Sequence, residues 1–169
     1  LKKHNAPAAF FLVGNYIGKN ADLVRRMVEE GHIVGNHSAT HPSFAEIGRR
    51  EMAVEIEETE NYLREKYGYA SKFFRFPKGE YNESALELVA SLGYKTIFWS
   101  FGYEDWNNSK QPSKDYAKRK ILSNTHNGAV FLFHPTSKTN ADIFSDLIKE
   151  WRKMGYSFGT LDELCGEKA

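Results

Sequence analysis

Disulfides, membrane spans and an imbalance of charge are all missing from this chain. One cysteine, Cys165, among 169 residues leaves no partner for an intrachain bridge, so cohesion has to come from packing. No stretch approaches the roughly 18 consecutive apolar residues of a membrane-spanning helix. Lysine and arginine total 23 against 22 aspartates and glutamates, a net charge of +1. Charge alone therefore points to no nucleic-acid partner and no anionic membrane surface. There is no internal repeat and no low-complexity tract. The chain opens at Leu1 rather than methionine. It is expected to be a piece whose front, with any targeting segment, has been removed.

What is present is a hydrophobic fraction of 41% and a charged fraction of 27%, ordinary for a globular domain of this length. Apolar, aromatic-rich runs alternate with amphipathic patterns along the chain. Strands are expected at Ala8–Val13, His32–Gly35, Lys72–Phe76, Tyr94–Ser100, Ala129–Phe133 and Tyr156–Thr160. Between them, Leu23, Val24, Met27 and Val28 form one helical stripe, with Asn20 as N-cap and Gly31 as terminator. Met52, Ile56, Thr59 and Leu63 form a second stripe ahead of Gly68. Asn82 is expected to cap a helix through Leu86, Val89 and Leu92, closed by Gly93. Asn140 is expected to start another through Phe144, Leu147, Ile148 and Trp151, closed by Gly155. Such alternation predicts an α/β fold with a parallel sheet covered by helices. The polar segment Asn107–Ser113 reads as a surface loop, and Lys118-Arg119-Lys120 as a solvated helix face.

The polar residues that stand out fall where strands are expected to end. His37 and His41 follow the second strand, and Arg75 and Pro77 end the third. Asp105 and Trp106 follow the fourth, and His134 ends the fifth. In parallel sheets the carboxyl ends of strands share a face where sites form, so these segments are expected to converge. Two imidazoles four residues apart can close on one divalent metal, which then needs a third ligand, commonly a carboxylate, and an open position. Asn36 and Ser38 are at hand to support the histidines by hydrogen bonds. His134 can be a core histidine or a general acid. Asp105, if near, would hold its ring and steady its charged form. Arg75 can be a structural ion-pair partner or can fix a carboxylate bidentately. Trp106 and Leu132 can wall a small apolar pocket, and Tyr81 and Tyr103 can line a sugar groove. His4, His32 and His126 have no comparable company and read as structural.

Four motifs in order carry a resemblance over essentially the whole chain. His37-Ser38-Ala39-Thr40-His41, Arg75-Phe76-Pro77-Lys78-Gly79, Asp105-Trp106 and Leu132-Phe133-His134 resemble the motifs of polysaccharide deacetylases of the NodB-homology type, carbohydrate esterase family 4. Within that family, G-N-H-S-x-x-H-P and Ile97-Phe98-Trp99-Ser100 ahead of E-D-W are similar to the sporulation enzymes that de-N-acetylate muramic acid during δ-lactam formation in cortex peptidoglycan.

The resemblance implies a distorted (β/α) barrel and metal-assisted hydrolysis of an N-acetyl amide. His37 and His41 would bind a divalent metal, usually zinc, which activates water. The backbone N–H of Lys78 would help hold the oxyanion, within a Pro77-Lys78-Gly79 turn that with Tyr81 contacts substrate. His134 would protonate the departing sugar nitrogen, Asp105 would tune His134, and Arg75 would position the catalytic carboxylate. Trp106 and Leu132 would receive the acetyl methyl. The implied partner is peptidoglycan or another N-acetylated polysaccharide, and the implied location is extracytoplasmic.

One departure bears on activity. The family's T-F-D-D motif, which supplies the base and the third metal ligand on the first strand, has no match. The six expected strands correspond to the second through seventh. The chain is therefore expected to be an N-terminally truncated deacetylase domain spanning 1–169, or an inactive form. In the δ-lactam branch the metal-binding aspartate of that motif can itself be asparagine. Ser100 and Gly102 stand where many relatives carry acidic residues. A chitin or acetylxylan deacetylase and a non-catalytic glycan-binding relative remain open alternatives.

Overall fold

A computed structural model describes residues 1–166. The chain divides into two compact units, one running from Pro7 to Phe98 and the other made of Leu1–Ala6 with the segment from Trp99 onward.

The Pro7–Phe98 unit is a parallel α/β layer. Strand β1 (Ala9–Leu12) leads through a single helical turn, α1 (Gly14–Ile17), to α2 (Ala21–Glu29), and β2 (Ile33–Asn36) follows. Helix α3 (Arg49–Tyr67) returns the chain to β3 (Phe73–Phe74), and α4 (Glu83–Ser91) to β4 (Lys95–Thr96). The four strands pair in sequence order, all parallel. Leu12 registers on Asn36 and Asn36 on Phe74, so β1, β2 and β3 finish level and the residues after them emerge at one sheet edge. Phe44, Met52, Ile56, Phe74, Phe76 and Val89 pack into one core on this unit. Leu12, Ile17, Val24, Val34 and Leu63 pack into another.

Gly35 has a steric reason. A Cβ there would sit 2.4 Å from the Phe11 ring, the residue that registers beside it across the β1–β2 ladder. Only glycine lets that ring lie against the strand.

In the second unit, Phe101 and Phe131 form an isolated parallel bridge. Helices α5 (Lys114–Ser123) and α6 (Lys138–Lys153) pack through Ala117, Ile121, Ile143, Leu147 and Trp151, and a last turn, α7 (Leu161–Leu164), follows.

The four helices form where expected and the α/β class with a parallel sheet holds, but two stripe members face solvent: Leu23 on α2 and Leu92 at the end of α4 are exposed. Gly68 and Gly93 end their helices with φ of 60° and 86°, as left-handed terminators do. The strands are shorter than their apolar runs. Lys72–Phe76 reduces to two residues, Tyr94–Ser100 to two, and Ala129–Phe133 to its bridge at Phe131. Tyr156–Thr160 forms no strand. Its N-terminal amide donates to Trp151 O at the end of α6, Phe158 packs edge-on against Trp151, and Thr160 makes the capping box of α7. An apolar run reports burial, and here burial is satisfied by packing on a helix rather than by a ladder.

Two caps also differ from expectation. Asn20 occupies the N-cap position of α2 but spends its amide donating back to Tyr16 O. The N-cap of α6 is Ser137, three residues before the expected Asn140, with Ser137 Oγ accepting from Asn140 N.

Candidate functional site

The His37–His41 loop is held by main-chain and side-chain hydrogen bonds together. Ser38 and His41 both take left-handed conformations, with φ of 66° and 67°, which non-glycine residues adopt only at a cost. Asn36 Oδ1 accepts from Ser38 N at 2.9 Å, and Ser38 Oγ accepts from His41 N at 3.0 Å. Gly14 N and Asn15 N donate to Ser38 O and Ala39 O. That close approach needs a glycine, since a Cβ on Gly14 would meet Thr59 Oγ1 at 2.9 Å. From α3, the Glu55 carboxylate takes Thr40 N and Thr40 Oγ1, both at 2.7 Å.

The two imidazoles stand edge to face, with ring centroids 4.8 Å apart. His37 Nδ1 lies 2.6 Å from the carbonyl oxygen of Arg75. A carbonyl only accepts, so Nδ1 carries the proton and Nε2 presents a lone pair. That is the tautomer a metal ligand needs. Asn36 and Ser38 were expected to support the rings. They shape the loop through Ser38 N and His41 N, and a partner of the His37 ring is a main-chain oxygen of the next strand's exit.

Arg75 itself turns its guanidinium over the Phe11 ring, 4.7 Å from the centroid. Burial draws its pKa down to about 10, which leaves it charged at neutral pH, and the ring face offsets part of the lost hydration. Among the described residues, no carboxylate is paired with it. The turn that follows, Pro77–Gly79, holds Lys78 at φ 58° and Gly79 at φ 72°. Gly79 N and Glu80 N close on Phe76 O and Pro77 O. The Lys78 N–H has no hydrogen-bond partner among the described residues, so it is free to meet an incoming oxygen. Tyr81 stacks on buried Phe76 and against Phe98, with its own ring half exposed.

In the second unit, Asp105 is fully buried (0% exposed) and is surrounded by donors. Its Oδ2 accepts from His134 N at 2.7 Å and from Asn140 Nδ2 at 2.6 Å, and its Oδ1 meets His134 Nδ1 at 2.6 Å. The ring is therefore gripped at Nδ1, and Nε2 is left for chemistry. Trp106, exposed, stands edge-on to His134 at 5.9 Å. Leu132 is half-buried, and its amide donates to Phe101 O. Gln111 ties the loop down, donating to Asp105 O and Asn107 O and accepting from Ser137 Oγ. Tyr103 gives its hydroxyl to Asn140 Oδ1, so the phenol is committed inside the unit rather than presented to a sugar.

The structure thus joins His37, His41 and the Arg75 main chain in one unit, and Asp105, Trp106 and His134 in the other. His4, His32 and His126 lie elsewhere. His4 bonds Ser145, His126 bonds its neighbour's carbonyl, and His32 packs edge-on against Phe10. Asn140, Gln111 and Glu55 were not singled out from sequence. Only Asn140 left a trace there, and it pointed to a helix cap.

Among the described residues, no group of three or more histidine, cysteine, aspartate or glutamate side chains gathers to hold a metal. The donor set at His37 and His41 nevertheless suits a divalent cation. Two imidazoles meet, and one has its tautomer fixed for coordination.

Comparison with known proteins fits this geometry. Residues 1–97 match the family model described as polysaccharide deacetylase. The chain is 34% identical over 169 residues to the peptidoglycan-N-acetylmuramic acid deacetylase PdaA of Bacillus subtilis, covering 99% of this chain and 64% of that protein. Superposed on the solved structure of PdaA, it gives a TM-score of 0.94, covering 100% of this chain and 73% of the other. It is 35% identical over 168 residues to the peptidoglycan-N-acetylglucosamine deacetylase PgdA of Listeria monocytogenes, covering 99% of this chain and 35% of that protein. A carbohydrate esterase family 4 pseudoenzyme from Bacillus anthracis has the same fold, with a TM-score of 0.90 and 26% identity over 97% of this chain and 57% of that one. The chain spans less than two thirds of the length of these two curated relatives.

Proposed function

Because the chain belongs to the polysaccharide deacetylase family, we propose that it removes N-acetyl groups from amino sugars of peptidoglycan. The preferred residue is N-acetylmuramic acid, as in δ-lactam formation in the spore cortex, and the place of action is extracytoplasmic. One observation carries the reading. A buried carboxylate, Asp105, grips His134 at Nδ1 and leaves Nε2 for proton transfer, a costly arrangement that a purely structural histidine does not require.

His37 and His41 would hold a divalent cation, zinc by preference. When bound, such an ion supplies Lewis acidity toward an amide carbonyl and its attacking water. The chain's own residues do the rest. The Lys78 N–H meets the oxygen on which negative charge develops. His134 Nε2 takes up the proton that the attacking water gives up and passes it to the leaving nitrogen, and Asp105 holds the ring and balances the imidazolium formed in between. Trp106 and Leu132 offer apolar surface to a methyl group, and Pro77, Gly79 and Tyr81 border the sugar.

A second reading, a glycan binder without catalysis, is favoured by two observations. Arg75 has no carboxylate partner among the described residues, and the Bacillus anthracis neighbour is a pseudoenzyme. Acetate release from the full-length protein, supplied with zinc, separates the readings. Turnover of N-acetylmuramic peptidoglycan is expected to exceed turnover of chitooligosaccharide. Turnover of chitooligosaccharide or acetylxylan alone would overturn the cell-wall substrate. Binding of glycan with no acetate from any of them would leave the binder.

A further inference from the structure

Asn140 sits in the first turn of α6, and it is buried (4% exposed) although the cap of that helix is Ser137. A buried amide in a helix needs partners for both ends. Its nitrogen donates to Asp105 Oδ2 at 2.6 Å, and its oxygen accepts from the Tyr103 hydroxyl. The assignment is forced by chemistry. A carboxylate oxygen in this setting accepts, so the nitrogen faces Asp105, the oxygen faces Tyr103, and the phenol must donate. Burial and the nearby charge of Asp105 push the Tyr103 phenol up to about 12, so that donor persists through any ordinary pH.

The consequence falls on Asp105. Its Oδ2 is occupied twice, by the His134 main-chain N–H and by Asn140 Nδ2. With Oδ2 held from two directions, the carboxylate cannot swing about its Cβ–Cγ bond without breaking charge-assisted bonds. Oδ1 is thereby kept for His134 Nδ1. The main-chain bond alone would tether the carboxylate but leave it a pivot. The amide supplies the second point.

We propose that Asn140 is a positioning residue for His134, acting through Asp105 as the inner end of a Tyr103–Asn140–Asp105–His134 chain that fixes the imidazole as its Nδ1–H tautomer. Its value to catalysis rests on the reading of His134 as proton donor. The tautomer itself does not.

Long-range proton–nitrogen spectra of the full chain labelled with 15N-histidine read that tautomer without substrate or metal. The native protein is expected to show neutral His134 protonated at Nδ1. Asn140→Ala should lower the ratio of Nδ1–H to Nε2–H at least threefold, and Tyr103→Phe should lower it by a smaller factor. Asp146→Gly weakens the same helix at an exposed position and should leave the ratio unchanged. An unaltered ratio in a folded Asn140→Ala protein overturns the proposal. So does a shift in Asp146→Gly as large as that in Asn140→Ala, since helix integrity rather than the amide would then set the ring. If Asn140→Ala does not fold, Tyr103→Phe decides, and an unchanged ratio there overturns it as well. A protein whose tautomer responds as expected but which frees no acetate from any glycan refutes the deacetylase reading and leaves the positioning role standing.

Discussion

His37 and His134 are both gripped at Nδ1 at 2.6 Å, but by different partners. A neutral main-chain carbonyl holds His37, and a buried carboxylate holds His134. A carbonyl fixes the tautomer without adding charge, which leaves Nε2 as a plain lone pair for a cation. A carboxylate fixes the tautomer and also balances any imidazolium that forms. The same residue type is thus held in two ways, one suited to the coordination proposed for His37 and the other to the proton transfer proposed for His134. The surroundings differ to match. In the Pro7–Phe98 unit the non-glycine residues Ser38, His41 and Lys78 have positive φ. In the other unit, among the described non-glycine residues, only Asn5 does, far in sequence from Asp105 and His134, and around that pair position is set by buried side-chain hydrogen bonds.

The largest effect that would break this contrast is a crossed pair of substitutions. His134→Ala is expected to lower acetate release by roughly 10²–10⁴-fold, the usual worth of a general acid, while zinc titration by calorimetry stays as in the native protein. His41→Ala is expected to weaken zinc by more than about 100-fold, beyond the 10–100-fold typical of losing a mere supporting partner, while the His134 tautomer is retained. If His134→Ala abolishes zinc binding, or His41→Ala leaves it intact, the division of labour between the two histidines fails.

Much of the geometry behind that proposed division is legible in the sequence, because it depends on side chains with distinctive chemistry at strand exits. His37, His41, Asp105 and His134 were picked out, and the Asp105–His134 pairing was foreseen as a condition. What was not legible is whatever depends on backbone or on a distant partner. The carbonyl that holds His37 belongs to Arg75, and every residue has a carbonyl. The left-handed Ser38, His41 and Lys78 carry no compositional mark, unlike Gly68 or Gly93. Asn140 misled because Ser137 and Asn140 are both cap-forming types three residues apart, and only the bond to Asp105 decides between them. The strand ends were overdrawn for a related reason: apolar runs such as Tyr156–Thr160 reveal burial but not the identity of the neighbour.

A smaller effect tests the side-chain half through pH. The Tyr103 phenol is raised from 10.0 to about 12, by desolvation first and by the Asp105 charge second. The folded state therefore resists ionisation that the unfolded chain accepts. The stabilising difference is complete below pH 10 and is lost as pH rises through about 12. Unfolding free energy measured across that window should fall more steeply in the native protein than in Tyr103→Phe, which has no phenol to ionise. Equal slopes would mean that Tyr103 is not held against Asn140 as described.

The smallest effect belongs to the backbone half. Lys78 is exposed and holds φ 58°, a conformation that costs an L-residue about 1–2 kcal/mol and costs glycine almost nothing. Replacing lysine by glycine also adds freedom to the unfolded chain, worth about 0.4–1 kcal/mol in the opposite sense. The first quantity exceeds the second, so Lys78→Gly should stabilise by about 0.5–1 kcal/mol, a rise of roughly 1–4 °C in Tm for a chain of this size. The gain would come from relaxing a turn whose free N–H is its useful feature, with that N–H retained. A fall in Tm would mean that the Lys78 side chain repays the strain through its own contacts, and the contrast between a strained half and a side-chain-bonded half would lose one of its three supports.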